Sequence, residues 1–280
     1  MRTYISAART GGQGKTTVAQ LVGLLHELKG QPLKYASADS DSTGQASKLG
    51  RFLTGVRELG IGADLKSIKV SNDPNAAIRY WDQFGATLLD GGYVVDVGAN
   101  IARNLFDWAE VSNAGAILKR RNAAPIDLVV TVRAESQAIE DAKELINLSF
   151  EKEDFIEFDR RFVVLNEVGG SFEGLPVDKM LQGFASKYNK PVKAMRLPRC
   201  TSDLWPLMER EFLSIRDALR LSEEDLEKKY GLSVWAANAG LTDLKAWVSQ
   251  ALDGFEKAGL GPVSQDFDSG LNAPQSSSIS

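Results

Sequence analysis

Eight residues near the start of the chain, TGGQGKTT at positions 10–17, restrict the possible folds more than any other feature. They follow a short strand-like run, Thr3 to Ala7. They open a segment in which Val18, Leu21, Val22, Leu25 and Leu28 recur at helical spacing. A glycine-rich turn between a strand and a helix lets backbone N–H groups converge where the helix begins, and phosphate oxygens bind there. In that arrangement Gly11, Gly12, Gln13 and Gly14 form the cradle and Lys15 reaches the β- and γ-phosphates. Thr16 offers its hydroxyl to Mg²⁺, and Thr17 contacts the α-phosphate. A plain strand-to-helix turn with an exposed lysine would use the same glycines; the flanking strand and helix favour the phosphate role. The glycine that usually opens such a loop is absent.

A loop of this kind needs a parallel sheet behind it, and the rest of the chain supplies the pattern. Strand-like runs occur at 3–7, 33–38, 67–70, 93–97, 128–132, 162–165 and 192–197, alternating with longer amphipathic stretches. The expectation is an α/β P-loop NTPase: a mostly parallel, twisted sheet of about seven or eight strands with helices on both faces. Residues 1–258 would form one domain, with 210–240 an insertion. Residues 259–280, polar and serine-rich, would be a disordered tail. In SEEDLEKKYG, Ser222 and Asp225 fit a capping box and Gly231 a helix stop. The last helix carries Leu244, Trp247, Val248, Ala251, Leu252 and Phe255 on one face, suited to core or dimer packing rather than to a membrane surface.

Some function classes are disfavoured by simple counts. The chain holds one cysteine, Cys200, and one histidine, His26, too few for a Cys-rich metal or iron–sulfur site within one chain or for most zinc sites. His26 lies in a helical run beside the loop and is read as structural. No leader-like segment or apolar run of membrane-spanning length is visible, so a cytoplasmic protein is expected, possible nucleoid association included. A net charge of −4 argues against a strongly basic nucleic-acid-binding domain, though not against a local patch. The candidates for such a patch are Lys119, Arg120 and Arg121 in LKRRN, and Arg160 and Arg161 in FDRRF. Solvated charge clusters are the commoner case.

The phosphate loop needs an acid at a neighbouring strand end to hold the metal, and GGYVVDVGAN provides Asp96. Gly98 then gives the freedom that a switch segment uses. After the second strand, Asp39 and Asp41 are two residues apart and would point the same way in extended backbone. Asp41 could orient or activate the attacking water while Asp39 assists the Mg²⁺ shell. By themselves these aspartates would be an Asp/Ser helix-capping turn; their place after strand two favours the catalytic reading.

Taken together, the early loop, the Asp-x-Asp after strand two and the strand-end Asp followed by glycine resemble the ParA/MinD family of deviant Walker ATPases over most of residues 1–255. DLVVTVRAESQAIEDAKELI resembles that family's strand and helix after the switch. In RRFVVLNEVGG the resemblance puts Asn166 where the family hydrogen-bonds adenine, and in MRLPRCTSDLW it puts Pro198 beside the base. No Lys-x-Asp follows Asn166, which disfavours guanine. The resemblance implies ATP and Mg²⁺ as cofactors and an ATP-bound homodimer with nucleotides sandwiched at the interface. It also implies binding to DNA or membrane, and a DNA-binding or cargo adaptor protein that stimulates hydrolysis. The sequence departs from the family at three places. Thr10 stands where the signature lysine reaches into the partner's site, with Arg9 a neighbouring substitute. Ser42 and Thr43 replace the usual Pro-Gln, with Gln45 further on. A basic membrane-targeting helix is lacking, so a ParA-like cycle fits better than a MinD-like one. Loss of the lysine removes positive charge where phosphoryl transfer accumulates negative charge, which predicts slow, partner-dependent hydrolysis.

Three functions follow. The first is a ParA-like ATPase for partition, stability or positioning of plasmid or other mobile DNA. The second is a nucleotide-regulated adaptor that recruits a protein cargo without touching DNA. The third is an ATP-dependent ligase of the dethiobiotin or cobyrinate type, for which no substrate-binding motif is visible. A nitrogenase-type reductase would need more cysteines than Cys200.

Overall fold

Runs such as YVVDV and LVVTV are apolar at nearly every position, so they can only be strands covered on both sides. The computed structural model, which describes residues 1–39, 45–59 and 76–262, shows such a sheet. Its strands are β1 (Thr3–Ala7), β2 (Lys34–Ala38), β3 (Arg57–Glu58), β4 (Tyr93–Val97), β5 (Ile126–Arg133), β6 (Arg160–Asn166) and β7 (Val192–Leu197). They form one 7-stranded sheet in the order β3-β2-β4-β1-β5-β6-β7, and every pairing is parallel. The fold is α/β, with the glycine-rich loop leaving the central strand. Six of the seven expected strands are present within two residues of their expected ends; the seventh, at 67–70, lies outside the described residues. The two-residue edge strand β3 was not foreseen, because Arg57 and Glu58 carry no alternating apolar signal.

Helices cover both faces. α1 (Lys15–Leu28) packs against β4 and β1. On its side lie α2 (Lys48–Phe52), which follows β2, and the C-terminal helices α8 (Trp205–Glu211), α9 (Ile215–Arg220), α10 (Glu223–Tyr230) and α11 (Val234–Ala258). The opposite face is covered by α3 (Ala76–Asp90), α4 (Asn104–Ser112), α5 (Ala114–Arg120), α6 (Ser136–Glu151) and α7 (Val177–Tyr188). Each face has its own apolar core, one around Ile5, Val95 and Val130, the other around Tyr4, Val94 and Val129. Neighbouring residues in a strand therefore feed opposite cores.

The 210–240 stretch contains α9, α10 and the start of α11. α10 opens with the expected Ser222–Asp225 capping box and ends at Gly231 in left-handed conformation. α11 buries Leu244, Trp247, Val248, Ala251 and Phe255, the face anticipated from spacing. Order continues past it: Leu260 is buried and Tyr4 donates a hydrogen bond to the Gly261 carbonyl. The packed unit therefore extends beyond the expected boundary at 258, while 263–280 lie outside the described residues. Among the described residues no helix is long and apolar enough to cross a membrane.

Candidate functional site

In a parallel sheet, strand ends and helix starts on one edge form a crevice where the strand order diverges. Here β1 is followed by β2 on one side and flanked by β5 on the other. The loop after β1 opens into a cleft of about 850 Å³. Lys15, Thr16, Thr17, Asp39, Asn166 and Pro198 are among its lining residues, so residues spread over most of the chain meet at one place.

The loop's shape depends on two left-handed glycines, Gly12 (φ +72) and Gly14 (φ +96). Gly14 is also crowded: a Cβ there would lie 2.3 Å from Asn166 Nδ2. The Asn166 amide donates to the Gln13 carbonyl at 2.8 Å, and its Oδ1 accepts from Val168 N at 3.2 Å. Asn166 thus braces the phosphate loop from β6 while still lining the cleft, a task that its expected adenine contact did not include. Gln13 is buried and faces away from the cleft. Its Oε1 accepts from the Arg133 N–H at 2.8 Å and its Nε2 donates to Thr10 Oγ1 at 2.9 Å. The loop is therefore pinned to β5 and β6 through side chains, and its backbone remains free to face a ligand.

Asp96, the penultimate residue of β4, has 0% exposure, and Thr16 donates to its Oδ2 at 2.6 Å. Its second oxygen, Oδ1, has no hydrogen-bond partner among the described residues. A buried carboxylate oxygen left unpaired is costly unless something cationic meets it. Burial pushes the Asp96 carboxyl up to about 6, opposed by the nearby Lys15 charge and the Thr16 hydrogen bond and reinforced by Asp39. A hydroxyl and a hard carboxylate, side by side with an unsatisfied oxygen, suit Mg²⁺. Asp39, at the end of the adjacent β2, supplies a second carboxylate at the same edge.

The φ of Gly98, −55, is ordinary, but a Cβ there would come within 2.5 Å of Asp39 Oδ1, so the missing side chain leaves room for that carboxylate. Asp41, Ser42 and Thr43 lie outside the described residues. Pro198 begins the loop after β7 on the far wall, and its carbonyl accepts from Trp247 Nε1 at 2.7 Å. Cys200, half-buried, lies in the same loop.

Sequence reasoning missed Trp247, Trp205 and Lys48, which line the cleft without belonging to any motif. For Trp247 a signal existed in its helical spacing, but that spacing reads only as core. For Lys48 there was none.

Thr10 and Arg9 are turned from the cleft. Arg9 is ion-paired with Glu144 of α6, which also attracts Arg103 from the start of α4. His26 is buried and shares a 2.9 Å hydrogen bond with the Tyr4 hydroxyl, and burial draws its pKa down to about 4. It is a neutral core residue.

The two candidate basic patches have different fates. Lys119, Arg120 and Arg121 are exposed at the end of α5, shortly before β5 begins. Arg160 and Arg161 are not available as a DNA grip, and that expectation is corrected. Arg160 Nε donates to the fully buried Asp127 at 3.0 Å and its Nη1 to the Gly259 carbonyl at 2.6 Å. Arg161 is 3% exposed and donates to Ser149, to the Phe158 carbonyl and to Glu153. Both are braces, because strand β6 inserts them between layers. Replacing Arg161 with alanine orphans these partners and should destabilise the fold by about 3–5 kcal/mol. Urea denaturation measures this. An unchanged midpoint combined with weakened DNA binding would reinstate the patch.

No protein-family model matches the sequence, and no curated protein matches it. Among solved structures the chain is similar to apo McdA of Cyanothece, at 13% identity, covering 92% of this chain and 99% of that one with a TM-score of 0.44. It is also similar to the MinD cell division protein of Aquifex aeolicus, at 14% identity, 89% and 98% coverage and a TM-score of 0.40. A nucleotide-binding protein from Archaeoglobus fulgidus in complex with ADP matches at 12% identity, 76% and 87% coverage and a TM-score of 0.38. At these scores the likenesses are distant, and the functional reading rests on the residues of the cleft.

Proposed function

We propose that this chain is a ParA-like ATPase that binds ATP with Mg²⁺ and works as a nucleotide-dependent homodimer. Its role is the partition, stability or positioning of plasmid or other mobile DNA in the cytoplasm. The observation that carries the nucleotide reading is the buried Thr16–Asp96 pair with its unpartnered Oδ1, at the start of a helix entered through a left-handed glycine loop. Gly11, Gly12 and Gly14 shape the backbone donors, and Lys15 neutralises the β- and γ-phosphates. Thr16, Asp96 and Asp39 would hold Mg²⁺, which when bound supplies charge neutralisation of the phosphates. Asp41 would orient the attacking water, with Asn166 and Pro198 on the base side.

The paired Arg9 and the neutral Thr10 leave the loop with less positive charge than the reaction favours, which fits slow turnover raised by a partner protein. The test is ATP-induced dimerisation and salt-sensitive DNA binding, measured by light scattering and electrophoretic shift. Lys15→Ala should abolish both and lower turnover by about a hundredfold or more. If ATP alters neither assembly nor binding, the proposal fails. The engagement of Arg160 and Arg161 in the interior favours a second reading, the nucleotide-regulated adaptor for a protein cargo, because it halves the candidate DNA surface. That reading predicts ATP-dependent dimers that ignore DNA, and loss of DNA binding in a triple Lys119/Arg120/Arg121 alanine variant would exclude it.

A further inference from the structure

A cation that no motif reveals lies at the phosphate cleft. Lys48 opens α2, and its backbone is set on a firm mount. Ser47 is buried, and its Oγ accepts from the Gly50 N–H at 3.0 Å. Ser47 also donates to Glu58 through both N (3.1 Å) and Oγ (2.8 Å). The next residue, Leu49, is fully buried. The Lys48 side chain, by contrast, lines the cleft together with Lys15, Thr16 and Asp39. There its Nζ donates to Glu209 Oε2 of α8 at 2.9 Å, a contact between residues 161 apart in the chain.

This ion pair is half open to solvent, with side-chain exposures of 44% for Lys48 and 38% for Glu209. Exposed pairs of this kind contribute little to stability. A lysine on a fixed mount, weakly held and facing a polyphosphate site, can exchange its carboxylate for phosphate oxygens at small cost. Thr10, turned away from this cleft, adds no positive charge to it.

Resting on the ATP-binding reading, we propose that Lys48 is a phosphate-binding residue of the same chain, supplying in cis charge that Thr10 does not. Glu209 occupies Lys48 while nucleotide is absent and competes with the phosphates for it. The ligand class is a nucleoside triphosphate with its full chain of phosphates.

Calorimetric titration of the full-length protein with ATP and with AMP, in Mg²⁺ buffer, tests this. Lys48→Met should weaken ATP binding about tenfold, the value of one charge-assisted hydrogen bond, and change AMP binding less than twofold. Lys48→Arg should retain most of the ATP affinity. Glu209→Gln should tighten ATP binding severalfold, because it removes the competitor. The inference is overturned if Lys48→Met leaves ATP affinity unaltered, if it weakens AMP equally, or if Glu209→Gln weakens ATP as Lys48→Met does. The last two results would mark the pair as a structural tie. Lys15→Ala separates the two levels: ATP binding that depends on Lys15 and is indifferent to Lys48 sinks this inference alone. Absence of Lys15-dependent ATP binding sinks the nucleotide reading.

Discussion

Asp96→Asn should make the nucleotide-free protein more stable while abolishing Mg²⁺-dependent ATP turnover. Burial raises the Asp96 pKa from an ordinary 3.8 to about 6, so the folded state holds a proton that the unfolded chain releases. A group raised in this way contributes stability at low pH, and the contribution is lost as pH rises from about 4 through about 6. Above that window the ionised carboxylate burdens the fold by about 3 kcal/mol. An asparagine accepts the Thr16 hydrogen bond without that burden. The variant's melting temperature should therefore exceed the wild type's by about 5 °C or more at pH 8. The gap should close towards pH 4. His26, with its pKa lowered to about 4 by burial, tilts stability the opposite way between pH 6.5 and 4. It does so equally in both proteins and cancels from the difference. Adding Mg²⁺ and ATP should stabilise the wild type and not the variant. Thermal denaturation from pH 4 to 8 checks this, and a variant destabilised equally at every pH would show that the carboxylate is a structural hydrogen-bonding group only.

Gly14→Ala should be severely damaging for the addition of a single methyl. It would place a Cβ on a residue at φ +96, a conformation that costs L-residues roughly 1–2 kcal/mol, and 2.3 Å from Asn166 Nδ2. Asn166 cannot simply rotate away, because its two ends are tied to the Gln13 carbonyl and the Val168 N–H. With that brace displaced, the expected loss is about 2–4 kcal/mol of stability. The misplaced loop should weaken ATP binding by about a hundredfold. Gly11→Ala is the internal comparison. A Cβ there meets nothing within 4 Å, and its stability should change by less than about 0.5 kcal/mol. Chemical denaturation and nucleotide titration of the two variants side by side provide the measurement. Equal tolerance at both positions would mean that the loop does not hold its ligand through this backbone shape.

These two residues also show how the site divides between what is local and what is not. Gly14 and Asp96 were legible because their places follow from immediate neighbours: a turn between strand and helix, and an acid near the end of an apolar run. The same holds for the strands, whose two-sided burial writes itself as unbroken runs of Val and Leu, and for the Ser222–Asp225 cap. β3 escaped because two charged residues at a sheet edge carry no periodic signal. Gly98 drew notice for flexibility; its close approach to Asp39 from another strand shows only in the structure.

The sequence by itself determined a parallel α/β sheet, the glycine loop after its central strand and the acid opposite it, because strand burial and turn chemistry act over a few residues. Only the tertiary structure decided which charges are free. Arg160 and Arg161 read as a surface cluster until β6 turns them onto Asp127, Ser149 and Glu153, and Arg9, by sequence a neighbouring substitute for the missing lysine, is ion-paired with Glu144. Asn166 became a brace, and Lys48 a cleft residue facing Glu209, through contacts spanning 153 and 161 positions. Charge is visible in a sequence, but its partner is chosen by packing, and a charge's function depends on whether that partner is another side chain or a ligand.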